Sequence, residues 1–160
     1  MLTKLEQAVN AWGGSNALVD QWLDSRRQLL IHYCQLAGLA PYQTAPTALP
    51  PLKHIRQFCG ILLDYVSAGH FEVYKQVSSA CEQHGRHSQQ LMESILPKIH
   101  HSTDIALAFN DRYAEQPTDE QMLQLDIDLS QLGQAMEERF ALEDTLLEVL
   151  AGHSPTSAAS

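Results

Sequence analysis

The sequence predicts an all-α protein, an antiparallel four-helix bundle with a short N-terminal helix and a proline-rich loop. Apolar side chains recur every three or four residues along most of the 160 residues, which is the period of an amphipathic helix. No segment alternates apolar and polar residues over the length of a strand. Four long amphipathic segments with mostly short connections are typical of an antiparallel bundle.

The first two predicted helices are separated by a Gly-Gly pair. The short helix covers residues 3–11, and the next runs from about residue 15 to 37, where Gly38 is a C-terminal stop signal. Four prolines mark residues 38–51 as a loop. The inward positions of the second helix are expected to be Leu18, Trp22, Leu29, Tyr33 and Leu36.

The third helix is predicted from Leu52 to about His84, with an irregularity at Ser67–Gly69 inside it. Its apolar stripe is Ile55, Cys59, Leu62 and Val66.

A fourth helix is predicted over residues 88–114, with a kink at Pro97, which removes one ladder hydrogen bond. Thr118-Asp119-Glu120-Gln121 has the form of a capping box and opens the last helix, which reaches about residue 151. We expect residues 1–151 to be one domain and the small, polar tail 152–160 to be disordered.

Negative charge is concentrated in the last third of the chain. The net charge is −9, yet residues 1–110 hold eight acids and eight Lys/Arg, whereas residues 111–160 hold eleven acids and two Arg. Such a surface repels phosphate backbones and attracts basic protein surfaces, so direct nucleic-acid binding is not expected. A solvated acidic face that only aids solubility is an open alternative.

Cysteine usage and the N-terminus indicate a cytoplasmic protein. Cys34, Cys59 and Cys81 are odd in number and lie at no zinc spacing, so free buried thiols are expected. The N-terminus lacks the apolar run of a secretory signal, and no apolar stretch is long enough to span a membrane.

Three charged residues fall on apolar stripes. Glu143 stands where a leucine is expected in the last helix, Arg139 lies one turn before it, and Arg26 lies between Trp22 and Leu29. Because an unpaired buried charge is costly, Arg26, Arg139 and Glu143 should pair with each other or with hydroxyls such as that of Tyr33. The hypothesis is an interior polar cluster that fixes helix register, and the alternative is that these groups line the bundle's rim.

No motif indicates catalysis or a metal site. The chain has no Gly-rich phosphate loop, no Gly-x-Ser-x-Gly elbow and no His-Glu-x-x-His motif. Eight histidines require a metal-binding bundle to be considered, but the Glu-x-x-His pairs of di-iron bundles are missing. Ser67 and His70 lie one turn apart without a third residue to orient the imidazole.

On a continuous third helix, Asp64, Ser67 and Phe71 would lie together opposite the apolar stripe. Their spacing of i, i+3 and i+7 is the one by which a helix presents anchors to a partner. Each has a simpler explanation: Asp64 as a solvated acid, Ser67 as the N-cap of a new helix, and Phe71 as a core residue after the Gly69 break.

Three blocks in this order carry a resemblance to a known family. They are Gly14-Ser15-Asn16-Ala17-Leu18-Val19-Asp20-Gln21-Trp22-Leu23, Asp64-Tyr65-Val66-Ser67-Ala68-Gly69-His70-Phe71 and Gly133-Gln134-Ala135-Met136-Glu137-Glu138-Arg139-Phe140-Ala141-Leu142-Glu143-Asp144. The chain resembles, over about residues 1 to 150, the Rsd/AlgQ family of bacterial regulators that bind the principal sigma factor of RNA polymerase.

The resemblance implies an anti-sigma regulator that forms a 1:1 complex with region 4 of the principal sigma factor and blocks −35 recognition and docking on core polymerase. It implies no cofactor and no chemistry, and it assigns sigma contact to Asp64, Ser67 and Phe71. Further protein partners are open. The rival hypothesis is a metal- or ligand-binding helical bundle, such as a hemerythrin-like sensor.

Overall fold

The computed structural model describes residues 5–7, 17–38, 49–67, 75, 79 and 86–151. Within these ranges every regular element is a helix, which confirms the all-α prediction. The elements are α1 (Ala17–Ala37), α2 (Leu52–Val66), α3 (Arg86–Tyr113), α4 (Asp119–Leu123) and α5 (Leu125–Ala151). No helix in these ranges is long and apolar enough to cross a membrane.

Contacts between side chains show that α1 and α5 run in opposite directions. Arg26, early in α1, pairs with Asp144 late in α5, and Tyr33, late in α1, donates a hydrogen bond to the Leu129 carbonyl early in α5. Residue numbers therefore rise along one helix as they fall along the other.

The same reversal relates the other neighbouring helices. It holds for α1 with α2, for α2 with α3 and for α3 with α5, and the contacts that show it are Trp22–Tyr65, Tyr33–Phe58, Phe58–Phe109, Arg56–Glu115, Thr103–Arg139 and Tyr113–Asp128. The four long helices form an antiparallel bundle, as the sequence predicts.

One continuous apolar core joins the four long helices. On α2 the predicted stripe of Ile55, Cys59, Leu62 and Val66 is buried, which confirms that helical phase. Phe58 and Tyr65 are buried beside it, so the apolar face of α2 is wider than the four-residue stripe. The ring of Phe58 meets that of Phe109 edge to face at 5.9 Å, which ties α2 to α3.

The predicted irregularity in the third helix is a break: α2 ends at Val66, and Ser67 adopts an extended conformation (φ −94°, ψ −153°). Beyond it, residues 75 and 79 are helical, in agreement with the predicted continuation to about residue 84. The Ser67 N–H still donates to the Leu63 carbonyl, which completes the last turn. Residues 68–74 lie outside the described residues, and with them lie the Gly69 break and Phe71.

The remaining boundaries agree closely with the predicted ones. α3 begins at Arg86, two residues earlier than expected, and contains Pro97. The Thr118 capping box is confirmed: the Gln121 N–H donates to the Thr118 hydroxyl at 3.2 Å, and the Thr118 N–H donates to the Gln121 amide oxygen at 2.8 Å. The predicted last helix is interrupted at Gln124, which separates α4 from α5.

The N-terminal prediction is tested only at residues 5–7, which are helical and place Leu5 in the core. The rest of the predicted helix 3–11, the loop residues 39–48 and the tail 152–160 lie outside the described residues. The side chain of Leu18 lies outside them as well.

A close approach between α1 and α5 depends on Gly133. A Cβ atom added to Gly133 would lie 2.8 Å from Tyr33 Cζ and closer still to the phenolic oxygen. That oxygen is fixed by its hydrogen bond to the Leu129 carbonyl, at 3.0 Å. Because Gly133 has no side chain, the Tyr33 ring can pack directly against the backbone of α5 at this position.

Gly133→Ala should destabilise the bundle, because the methyl group can be accommodated only if Tyr33 moves and its hydrogen bond weakens. Overpacking of this kind costs about 1–3 kcal/mol of unfolding free energy. Gly60→Ala is the matched control, since Gly60 lies inside α2 with nothing within 4 Å of its added Cβ. It should stabilise by about 0.5–1 kcal/mol. Urea denaturation measures both changes, and equal effects of the two variants would contradict the packing role of Gly133.

Candidate functional site

Asp64 and Ser67 lie at the C-terminal end of α2, and both are exposed. The Ser67 hydroxyl approaches the Asp64 carbonyl at 3.5 Å, so the two residues are neighbours on the surface. Ser67 has left the helical conformation, and Phe71 lies outside the described residues. The i, i+3, i+7 spacing of a straight helix therefore does not support a partner-contact role for Phe71.

The next residue on α2, Tyr65, points the other way and is buried at the centre of a polar cluster. Its hydroxyl donates to Glu143 Oε2 at 2.7 Å and accepts from Trp22 Nε1 at 3.0 Å and Arg26 Nε at 3.3 Å. These bonds join α2 to α1 and α5 one residue away from Asp64. The position of this end of α2 is therefore set by hydrogen bonds inside the bundle.

The structure brings Arg26, Arg139 and Glu143 together in the interior, where 2%, 1% and 0% of each residue is exposed. Arg139 Nε donates to Glu143 Oε1 at 2.8 Å, and Arg26 Nη2 lies 3.5 Å from Glu143 Oε2. They do not line the rim of the bundle. The tyrosine that joins them is Tyr65, whereas the hydroxyl of Tyr33 donates to the Leu129 carbonyl.

Further partners satisfy the outer atoms of the two guanidinium groups. Arg26 Nη1 donates to Asp144 Oδ1 at 2.7 Å, and Arg139 Nη1 donates to Thr103 Oγ1 at 2.7 Å and to Ser102 Oγ at 3.2 Å. Two arginines thus face two carboxylates, and the charges of the cluster balance. We call the set Arg26, Tyr65, Arg139, Glu143 and Asp144 the interior cluster.

Burial and neighbouring charge shift the pKa values of this set. Burial disfavours the charged form of Arg26, but the neighbouring Tyr65, Glu143 and Asp144 outweigh it and raise the Arg26 pKa. Burial, reinforced by the charge of Glu143, raises the pKa of Tyr65 well above its ordinary value. Tyr65 therefore keeps its proton and remains a hydrogen-bond donor to Glu143.

The described part of the chain contains no group of three His, Cys, Asp or Glu side chains arranged to hold a metal ion. His100 and His101 are exposed on α3. Cys34 and Cys59 are free and buried, as predicted, and burial raises the pKa of Cys59 to about 11. A thiol with that pKa is a poor nucleophile at neutral pH. Cys81 and His84 lie outside the described residues.

Residues 1–151 match the family described as the regulator of RNA polymerase sigma(70) subunit, Rsd/AlgQ. The chain belongs to the Rsd/AlgQ family. The resemblance carried by the three sequence blocks is thereby confirmed. Membership places the chain among regulators of the sigma(70) subunit, which are regulatory proteins and not enzymes.

Curated relatives agree with the family over nearly the whole chain. A protein of Yersinia enterocolitica is 36% identical over 149 residues, which cover 92% of this chain and 89% of the relative. A protein of Salmonella typhi is 37% identical over 150 residues, covering 92% and 90% of the two chains. Both relatives are named Regulator of sigma D.

Two of the sequence blocks that resemble Rsd/AlgQ proteins have different structural roles. The block 133–144 lies inside α5 and contributes the close approach at Gly133 together with three residues of the interior cluster. The block that begins at Asp64 alternates between the surface and the core within its first residues. This second block therefore offers exposed polar side chains beside the fixed interior residue Tyr65.

Proposed function

We propose that this Rsd/AlgQ protein binds region 4 of the principal sigma factor in a 1:1 complex in the cytoplasm. Covering that region would block both its recognition of the −35 promoter element and its docking on core polymerase. The observation that carries the proposal is the exposed pair Asp64 and Ser67 at the end of α2, held in place by Tyr65. Neither a cofactor nor a covalent step is needed.

The chemistry of the two residues suits contact with a basic helix. Among the described residues, the Asp64 carboxylate forms no ion pair, so it is available to a lysine or arginine of the partner. The small Ser67 side chain allows close approach. Phe71, whose role is implied by the family resemblance, would supply the apolar anchor of the same contact.

The position of Asp64 in the helix also supports a role in binding. Asp64 lies in the last turn of α2, where the exposed carbonyl groups carry partial negative charge. A carboxylate there is locally unfavourable, by about 0.3–1 kcal/mol. A basic partner that covers this end of the helix would turn that repulsion into attraction.

A broader acidic surface on residues 111–160 favours the approach of a basic partner. Seven of its acids are exposed: Asp111, Glu115, Asp119, Glu120, Asp126, Glu138 and Glu148. Asp128 and Asp144 instead pair with Arg112 and Arg26. Exposed acids far from the contact steer a charged partner during encounter and add little to the affinity of the bound state.

The proposal is tested with the purified full chain and isolated sigma region 4. Native mass spectrometry should give a 1:1 complex, and titration of the chain should release region 4 from a fluorescent −35 promoter duplex. Stable binding that leaves region 4 on the duplex would contradict the blocking mechanism. No complex at all would overturn the proposed function.

Salt should slow the formation of this complex. Raising the salt concentration from about 0.05 to about 0.5 M shortens the Debye length from about 14 Å to about 4 Å, which screens the acidic surface. The association rate, measured by stopped-flow fluorescence, should fall several-fold while the dissociation rate changes less. An association rate indifferent to salt would remove the electrostatic part of the proposal.

A further inference from the structure

A groove of about 780 Å³ lies between the middle of α3 and the middle of α5. It runs along Pro97 to Ile105 on one side and Gln131 to Thr145 on the other. Its volume is within the range of sites that hold small organic molecules, about 300–1,000 Å³. None of Asp64, Tyr65 and Ser67 lines it, so it is separate from the proposed sigma contact.

Basic side chains are enriched in the lining of the groove relative to the acidic region around it. Residues 86–151 hold thirteen acids and four Lys/Arg. Two of those four cations, Lys98 and Arg139, line the groove, whereas Glu138 is the one acid of the thirteen that does. His101 lies one turn after Lys98 on the same face of α3 and also lines the groove. The lining therefore brings Lys98, His101 and Arg139 together beside a single acid, Glu138.

The buried wall of the groove is rigid. Arg139 is held by Glu143 and by the hydroxyls of Ser102 and Thr103, so its guanidinium is fixed before any ligand arrives. Ser102, itself buried, is also a lining residue. Because the Glu143 carboxylate balances its charge, Arg139 contributes a rigid polar wall to the groove.

The remainder of the lining combines apolar surface with amide groups. Pro97, Ile105 and Leu142 offer apolar contact for a flat ring. Gln131 and Gln134 lie on the α5 side, and among the described residues neither side chain forms a hydrogen bond. Each amide offers a donor and an acceptor, which is the pattern needed to meet the edge of a heterocyclic base.

We propose that this groove binds a nucleotide. Lys98 and His101 hold the phosphate groups, the apolar wall contacts the base, and Gln131, Gln134 and Glu138 meet the polar edge of the base. A nucleotide fits because it joins a multiply charged anion to a flat ring with donors and acceptors at its edge. This binding is independent of the proposed function, since the groove shares no residue with the Asp64–Ser67 contact.

The test is a fluorescence anisotropy titration of the full chain with N-methylanthraniloyl-ADP and N-methylanthraniloyl-GDP, each competed by its unlabelled parent. At least one probe should saturate below about 1 mM. Lys98→Gln should weaken binding about tenfold, as expected for one charge-assisted hydrogen bond. Lys53→Gln is the matched control, because Lys53 is an exposed lysine of α2 outside the groove.

A second pair of variants tests the location by blocking the groove. Ala141 is an exposed lining residue of α5, and Ala141→Phe should abolish binding. Ala108→Phe introduces the same ring at an exposed position of α3 outside the groove and should leave binding unchanged. Circular dichroism checks that both variants fold. Failure of both probes to bind, or binding that survives both Lys98→Gln and Ala141→Phe, would overturn the proposal.

Discussion

Glu143→Ala should lower the free energy of unfolding by about 3–5 kcal/mol, because it leaves two buried guanidinium groups without their shared carboxylate. Arg139 would lose its bond at 2.8 Å and Tyr65 its acceptor at 2.7 Å. Arg26 would keep only Asp144 as a carboxylate partner. Urea denaturation measures the loss, which should appear as a lower midpoint with little change in slope.

Two further substitutions test whether the stability lost in Glu143→Ala comes from the missing charge rather than from helix propensity or side-chain shape. Glu148→Ala makes the same change at an exposed position of α5 and should alter stability by less than about 0.5 kcal/mol. Glu143→Gln keeps the shape and one acceptor oxygen, so its effect should lie between the two alanine variants. A Glu143→Ala protein as stable as the Glu148→Ala protein would show that the interior cluster does not stabilise the bundle.

Asp64→Arg should weaken sigma region 4 binding by about 100-fold or more without destabilising the fold. If Asp64 contacts a basic side chain, the reversal replaces an attraction with a repulsion, and loss of one such partner costs about 2–5 kcal/mol of binding. The same change places a cation at the C-terminal end of α2, which favours the helix by about 0.3–1 kcal/mol. Calorimetric titration and thermal denaturation should thus give opposite signs for affinity and stability.

Asp24→Arg is the control for this experiment. Asp24 is exposed on α1, so the variant has the same net charge as Asp64→Arg but leaves the proposed contact unchanged. It should slow association slightly and leave the dissociation rate unchanged. Equal losses of affinity in the two variants would mean that Asp64 acts only through net charge, and the proposed contact would fail.

The sequence predicts the bundle well because its evidence is local. Helical periodicity, the Thr118 capping box and the Gly38 stop signal depend on residues within a few positions of each other, and the structure agrees with each. The burial of Glu143 could also be anticipated, since it interrupts a run of inward apolar residues at helical spacing.

What the sequence could not supply depends on contacts between distant helices. Tyr65 belongs to the cluster because α2 packs against both α1 and α5, and 78 residues separate it from Glu143. The one available signal was that Tyr65 lies three residues after Leu62 and so shares its face. The end of α2 was predicted only as an irregularity at Ser67–Gly69, because Gly69 signals a break without fixing the residue at which the helix ends.

The hydrogen bonds of Tyr65 have a consequence for genetics. Asp64 and Tyr65 are consecutive, so whatever disturbs Trp22, Arg26 or Glu143 also displaces the surface beside them. A screen for mutants that no longer restrain the sigma factor should therefore return substitutions on α1 and α5 that touch no partner. Such alleles would identify the interior residues that hold the Asp64 surface in position. Second-site suppressors of these alleles should be found among the hydrogen-bond partners of the substituted residues.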